Sequence, residues 1–183
     1  MAHKIKSVTL TDVKADGDGG TLTAYASTFD RDPDSYGDVV AKGAFSDTLA
    51  AWKKSGKPIP LLFGHRTDDP FMNIGGVTDA VEDDRGLRIT AAFDPDNPNA
   101  QYSRKLVQEG RLTKMSFAFD VLDEGPTTLD DGVTANELRQ VDLFEVSLVP
   151  IPANEHAAVL AVKARKSGPP LRTSPCLLYP SAP

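Results

Sequence analysis

The chain changes hydrophobic period several times, and each change marks an element. Residues 5–29 carry two alternating runs, "IKSVTLTDV" and "TLTAYASTFD", broken by "KADGDGG". Alternation at period two belongs to half-buried strands, so this region reads as two strands joined by a Gly/Asp turn. After the loop "RDPDSYGD" the period lengthens. Phe45, Leu49 and Trp52 fall at i, i+4 and i+7, one face of a helix that closes near Gly56. "KPIPLLFGH" is a short strand, and "NIGGVTDAVEDDRGLRITAAFD" is a hairpin turning through Asp83-Asp84-Arg85-Gly86.

A second helix starts at the Asn and Pro signals of "PDNPNAQYSRKLVQEG". It places Tyr102 and Leu106 on one face and stops at Gly110. "RLTKMSFAFDVLDEG" is strand-like, "PTTLDDGVTAN" is a polar loop or hairpin end, and "ELRQVDLFEVSLVPIPAN" is the longest strand signal, halted by two prolines. "EHAAVLAVKAR" suits a last strand or a short helix. Strands outnumber helices and do not alternate regularly with them, which disfavours a doubly wound parallel sheet. The expected class is α+β, mainly β: a mostly antiparallel sheet or barrel with about two helices packed on it.

Composition narrows the function. The 183 residues are 40% hydrophobic and 25% charged, which fits one globular domain. The "KSGPPLRTSPCLLYPSAP" stretch shifts to proline without period. The expected organisation is therefore a domain over residues 1–163 and a flexible or foreign Pro-rich tail over 164–183. A net charge of −6 and the lack of a basic stripe argue against nucleic acid as a partner. The opening "MAHKIKSVTL" has no apolar core of signal-peptide length. No run approaches the ~20 apolar residues that span a bilayer. The expectation is a cytosolic, reducing setting and no membrane. Cys176 is a lone cysteine, and His3, His65 and His156 are scattered, so neither a disulfide framework nor a Cys- or His-rich metal site is expected.

Three residues are candidates for chemistry. In "TKMSFAFDV", Met115, Phe117, Phe119 and Val121 share one face of a strand, and Ser116, Ala118 and Asp120 share the other. Ser116 reads plainly as a polar residue on an outer face. Its sharper reading is a nucleophile in a shallow groove. In "QVDLFEVSLVP", Glu145 shares a face with Leu143, Ser147 and Val149. A carboxylate there requires a partner, because an unpaired buried charge is very costly. Arg111 and Arg139 are the plain partners and His65 the sharp one. His65 itself ends the apolar run Leu61-Leu62-Phe63 and is either a packed ring or a base. A serine needs a base to take its proton, and the base needs a third group to orient it. Ser147 is a rival nucleophile. A metal hydrolase built on His65, Asp68 and Asp69 lacks further ligands, and Asp38 reads as ordering its loop.

The segments "YASTFDRDPDSYGDVVAKGAF", "PLLFGHRTDDPFMNIGGV", "GRLTKMSFAFDV" and "LFEVSLVPIPANEHAAVLAVK" together resemble the prohead protease family of tailed bacteriophages, in the family's order and spacing. The resemblance covers roughly residues 20–163. It implies a β-barrel wrapped by helices, similar to the herpesvirus assemblins, and a serine endopeptidase without cofactor or metal. The implied substrates are the phage scaffold, or the scaffolding segment of the major capsid protein, and the protease itself. The implied place is the assembling procapsid in the host cytoplasm, and a homodimer is compatible with it. His65 matches the family histidine and Ser116 the nucleophile. Glu145 is the choice for the third member. The assemblins use a second histidine there, a part that only His156 could play, but the family's residues after "PAN" vary, which puts Glu145 ahead. By the same analogy, backbone N–H groups of a loop near the "PIPAN" turn, Pro150 to Asn154, could form the oxyanion hole. Phe63-Gly64 departs from the larger residues common before the family histidine. The alternative is a non-enzymatic phage structural or scaffold-binding β-domain of the same fold.

Overall fold

The fold was taken from a computed structural model, which describes residues 20–34 and 36–150, and the backbone of the strand Lys4–Thr9. The elements run β1 (Lys4–Thr9), β2 (Thr21–Thr28), β3 (Asp38–Val40), α1 (Ser46–Ser55), β4 (Ile59–Phe63), a single 3-10 turn (Pro70–Met72), β5 (Asn73–Glu82), β6 (Gly86–Phe93), α2 (Pro98–Gln108), β7 (Lys114–Thr128) and β8 (Thr134–Val149). The strands form one 8-stranded sheet in the order β1-β7-β8-β4-β5-β6-β2, with β3 also paired to β8. Its two ends, β1 and β2, meet, so the sheet curls into a half-barrel. Among the described residues, two helices complete the mainly β, mostly antiparallel architecture expected from the strand pattern.

Two expectations about pairing change. The strands on either side of "KADGDGG" do not pair with each other: β1 adds to β7 and β2 adds to β6. The sheet also contains parallel ladders, because both β3 and β4 run parallel to β8. These two short strands lie along different stretches of β8, and β4 covers the stretch that matters for the site.

The β5–β6 hairpin turns where the sequence signalled. Asp83 Oδ1 accepts from the backbone N–H of Arg85 at 2.9 Å and of Gly86 at 3.1 Å, and this tightens the turn. The "PTTLDDGVTAN" segment is the closed end of the β7–β8 hairpin, with Gly132 at φ 83°. At 16 residues β8 is the longest strand among the described residues, and it stops at Pro150.

Both helices dock by the physics of their ends and faces. In α1, Gly56 takes φ 68° at the C-terminus, where only glycine avoids a steric penalty. Phe45, at the helix start, is fully buried and meets the Phe117 ring edge-on at 5.4 Å, and Phe117 stacks on Phe119. Trp52 Nε1 donates to the Leu143 carbonyl at 2.7 Å, and the Thr48 hydroxyl accepts from the Leu143 N–H at 3.0 Å. Thus α1 pins β8 two residues before Glu145. In α2, Asn97 caps the start and Pro98 occupies the first turn. Its buried positions are Ala100, Ser103 and Val107, with Leu106 packed beside them, while Tyr102 stays exposed. The expected Tyr102–Leu106 stripe is therefore rotated. A short helix needs only a narrow apolar stripe, and small Ala100 and Ser103 let it sit closer to the sheet than a tyrosine would.

His156, the loop beyond Pro150, the segment "EHAAVLAVKAR" and the tail over 164–183 lie outside the described residues, as does the turn "KADGDG".

Candidate active site

A bulge in β8 creates the site. Along β7 and β8, Ser116 faces Ser147, Phe117 faces Val146 and Ala118 faces Glu145; then Phe119 faces Leu143. Phe144 is the extra residue. Strict alternation would put Leu143 on the face of Glu145. The inserted residue instead turns Leu143 inward with Phe119, Val146 and Leu148, all in the hydrophobic core. Ser116, Ala118, Glu145 and Ser147 are left on the opposite face. Bulges re-aim side chains in this way. The sequence reading assigned Leu143 to the face of Glu145, and the bulge corrects it.

His65 reaches the same face from β4. Leu62 lies beside Ser147 in the parallel ladder, and Phe63 beside Leu148. Immediately after Phe63 the chain turns back: the Arg66 N–H donates to the Phe63 carbonyl at 3.3 Å, and the Gly64 N–H donates to the Leu148 carbonyl at 2.9 Å. Gly64 has φ 65° and His65 φ 57°, so both central residues of the turn are left-handed. This explains Gly64, the departure noted beside the histidine, since glycine takes that conformation freely. His65 does not. It has the one positive φ among the described non-glycine residues, a strain of order 1–3 kcal/mol that the surrounding bonds must hold.

Those bonds converge on Glu145. His65 Nδ1 lies 2.5 Å from Glu145 Oε1. The Ser147 hydroxyl donates to Glu145 Oε2 at 2.6 Å and accepts from the His65 backbone N–H at 3.1 Å. The Glu145 side chain is 5% exposed and the His65 side chain 16%. The other ring nitrogen, His65 Nε2, is buried and makes no hydrogen bond. Ser116 is 1% exposed and sits directly across the ladder from Ser147. Lys114 lies two residues before Ser116 on the same side of β7, and burial pulls its ammonium below the usual lysine range.

The plain partners for Glu145 are engaged elsewhere. Arg139 pairs with Asp123 and Glu137, and Arg111 with Glu109. Asp68 pairs with Arg66, and Asp69 caps the 3-10 turn through the Phe71 N–H, so neither is gathered with His65. Among the described residues no group of three or more His, Cys, Asp or Glu could hold a metal ion. Asp38 bonds Asn136 at the edge of β8, and Asp34 orders the preceding loop through the N–H groups of Tyr36 and Asp38. Sequence reasoning treated Ser147 only as a rival nucleophile and missed its bonds. Its position two residues from Glu145 on one strand face was the available signal.

Arranged this way, the site can move a proton. A carboxylate holds one imidazole nitrogen, the second nitrogen is open, and a serine occupies the same face.

Comparison with known proteins gives the chain a place. Residues 6–169 match a family described as the caudovirus prohead serine protease. The prohead protease of Enterobacteria phage HK97 is 30% identical over 156 residues, which cover 84% of this chain and 66% of that protein. The prohead protease of Escherichia phage T5 is 27% identical over 143 residues, 78% of this chain and 63% of that one. The chain thus spans just under two thirds of the length of these curated relatives. In fold it is similar to the bacteriophage T4 capsid assembly protease, with a TM-score of 0.58 at 10% identity over 82% of this chain and 98% of that one.

Proposed function

The chain belongs to the caudovirus prohead serine protease family, and on that premise we propose that it is a serine endopeptidase of capsid maturation. Ser116 is the nucleophile, His65 the general base and Glu145 the residue that orients it. The substrate is the phage scaffold, or the scaffolding segment of the major capsid protein, and the enzyme also cleaves itself. It acts inside the procapsid, in the host cytoplasm. In this reading the catalytic domain runs over residues 1–163, and segment 164–183 lies outside it.

The observation that carries the reading is the 2.5 Å contact of His65 Nδ1 with Glu145 Oε1 on the sheet face that also bears Ser116. Glu145 keeps the proton on Nδ1, which leaves Nε2 as the basic nitrogen. As Ser116 Oγ bonds the peptide carbonyl carbon, Nε2 takes the hydroxyl proton. The imidazolium so formed is stabilised by the Glu145 carboxylate. When the C–N bond breaks, Nε2 gives that proton to the leaving amine. Water then enters, Nε2 takes a proton from it as the water oxygen bonds the acyl carbon, and that proton passes to Ser116 Oγ as the Oγ–C bond breaks. The absence of an Nε2–Ser116 hydrogen bond at rest does not oppose this, since such bonds often tighten only in the substrate complex.

Ser116→Ala, co-expressed with the capsid protein and its scaffold, is expected to fold and to leave both uncut, by mass spectrometry of intact chains. Full processing by that variant would falsify the assignment. The burial of Ser116 favours a second reading, a non-enzymatic domain that keeps the fold. A serine-reactive phosphonate separates the two. A working site takes the label on Ser116 and loses it in His65→Ala, whereas a structural domain takes no site-selective label.

A further inference from the structure

We propose that Ser147 is a positioning residue that sets the Glu145–His65 pair; the inference rests on the catalytic reading above. A carboxylate on a three-carbon side chain can present either oxygen, and rotation would break its alignment with the ring. Glu145 is 4% exposed, so water cannot supply a steady second partner. Ser147, which is fully buried, supplies it at 2.6 Å on Oε2 and leaves Oε1 to Nδ1.

The direction of these bonds follows from valence. A hydroxyl has one hydrogen and two acceptor lone pairs. The His65 backbone N–H can only donate, and it takes a lone pair of Ser147 Oγ at 3.1 Å. Ionised Glu145 can only accept, so the hydroxyl hydrogen goes to Oε2. The bonds close a ring: the His65 N–H donates to Ser147, Ser147 donates to Glu145, and His65 Nδ1–H donates to Glu145. The backbone of His65 is thereby tied to Ser147 of β8 and its ring to Glu145, two residues away on the same strand.

The ring also accounts for the backbone at His65. The turn at Gly64 and His65, with φ 65° and 57°, aims the His65 N–H at β8. The bond to Ser147 secures that conformation, while Leu62 beside Ser147 in the ladder sets the distance from which the turn departs. Ser147 thereby holds the base at two atoms and need not touch substrate. As a nucleophile it is poorly placed, because its hydrogen is committed to a carboxylate.

The test uses the full chain and a peptide spanning a processing site mapped by co-expression. Ser147→Ala is expected to lower kcat on the order of 100-fold, the effect of a misplaced base, with KM nearly unchanged. Ser147→Thr, which keeps the hydroxyl, recovers most of the loss. In a Glu145→Ala background, Ser147→Ala costs nothing further, because its partner is already gone. Proton NMR gives a readout independent of turnover: the deshielded Nδ1 proton of His65 is present in the parent chain and in Ser147→Thr, and weakened in Ser147→Ala. Wild-type kcat in Ser147→Ala together with an unchanged His65 resonance overturns the proposal. If Ser116→Ala still cleaves, the catalytic reading fails instead, and the His65 resonance still decides the role of Ser147.

Discussion

Asp83 and Glu145 are both carboxylates that draw a hydroxyl and N–H donors to themselves, and their networks end differently. Asp83 accepts from the Tyr25 hydroxyl at 2.7 Å and from the N–H groups of Arg85 and Gly86. Arg88 lies 3.6 Å away, and the Arg85 guanidinium rests 4.6 Å over the Tyr25 ring. Every donor there belongs to the β5–β6 hairpin or to β2 beside it. The bonds close on themselves and shape a turn. At Glu145, Ser147 occupies one oxygen and His65 the other, and the chain of bonds runs on to an imidazole nitrogen with nothing attached. A closed network stabilises; an open-ended one has a proton position left to use. A buried or half-buried carboxylate gathering donors is common to both; the open end distinguishes them.

The sharpest way to break this contrast is to delete each carboxylate. Glu145→Ala should reduce kcat on the order of ten-thousand-fold, the scale at which loss of the orienting acid acts in a triad. Asp83→Ala should leave kcat of the folded fraction as it was, in the same peptide-cleavage assay. Comparable kinetic losses in both would erase the distinction.

Gly86→Ala probes the closed network through shape. A Cβ there would collide with the Ser27 carbonyl oxygen where β6 starts beside β2. The cost should be about 1–3 kcal/mol of stability, typical of forced overpacking, read as a lower urea midpoint at unchanged kcat. Tyr25→Phe is gentler. It removes one bond to a charged acceptor at a half-buried site, so a loss of about 1 kcal/mol is expected.

The smallest effect is in pH. The Tyr25 hydrogen bond, the largest influence, holds Asp83 below its ordinary 3.8, and the same bond raises Tyr25 above its ordinary 10.0. A depressed carboxylate contributes stability above its unfolded value and loses it as pH falls through the folded one. A raised phenol contributes below its unfolded value and loses it as pH rises through the folded one. The pair should therefore support a plateau from above 3.8 to below 10.0, eroding on both sides. Urea midpoints measured from below pH 3.8 to above pH 10.0 should show both shoulders in the parent chain and shallower ones in Tyr25→Phe. Identical profiles would remove the pair from the account of stability.

Local features were legible in the sequence because their causes are local. The turn at Asp83–Gly86, the glycine stop at Gly56 and the proline stop of β8 each follow from backbone preferences within a few residues. The alternation in "KMSFAF" put Met115, Phe117 and Phe119 on the core face, where they are buried. Features that depend on a partner were read less well. Tyr102 has the right spacing for a helix face, yet the packed face passes through Ala100 and Ser103. The two runs before residue 29 look like a hairpin, but the better-matched edges for them are β7 and β6.

The site follows the same division. Sequence motifs singled out His65, Ser116 and Glu145 and fixed the family to which the chain belongs. They left open whether the residues meet. His65 and Glu145 stand 80 positions apart, and no propensity acts over that distance. Their meeting depends on β4 lying parallel to β8, on a left-handed turn at Gly64–His65, and on an extra residue, Phe144, that sends Leu143 inward and keeps Glu145 out. Side-chain direction in a strand alternates strictly until a bulge resets it, and a bulge exists only relative to the neighbouring strand. The sequence by itself therefore determined the elements, the turns and the chemical groups available. Only the tertiary structure decided that Leu143 leaves the face of Glu145 and Ser147, and that His65 joins them there.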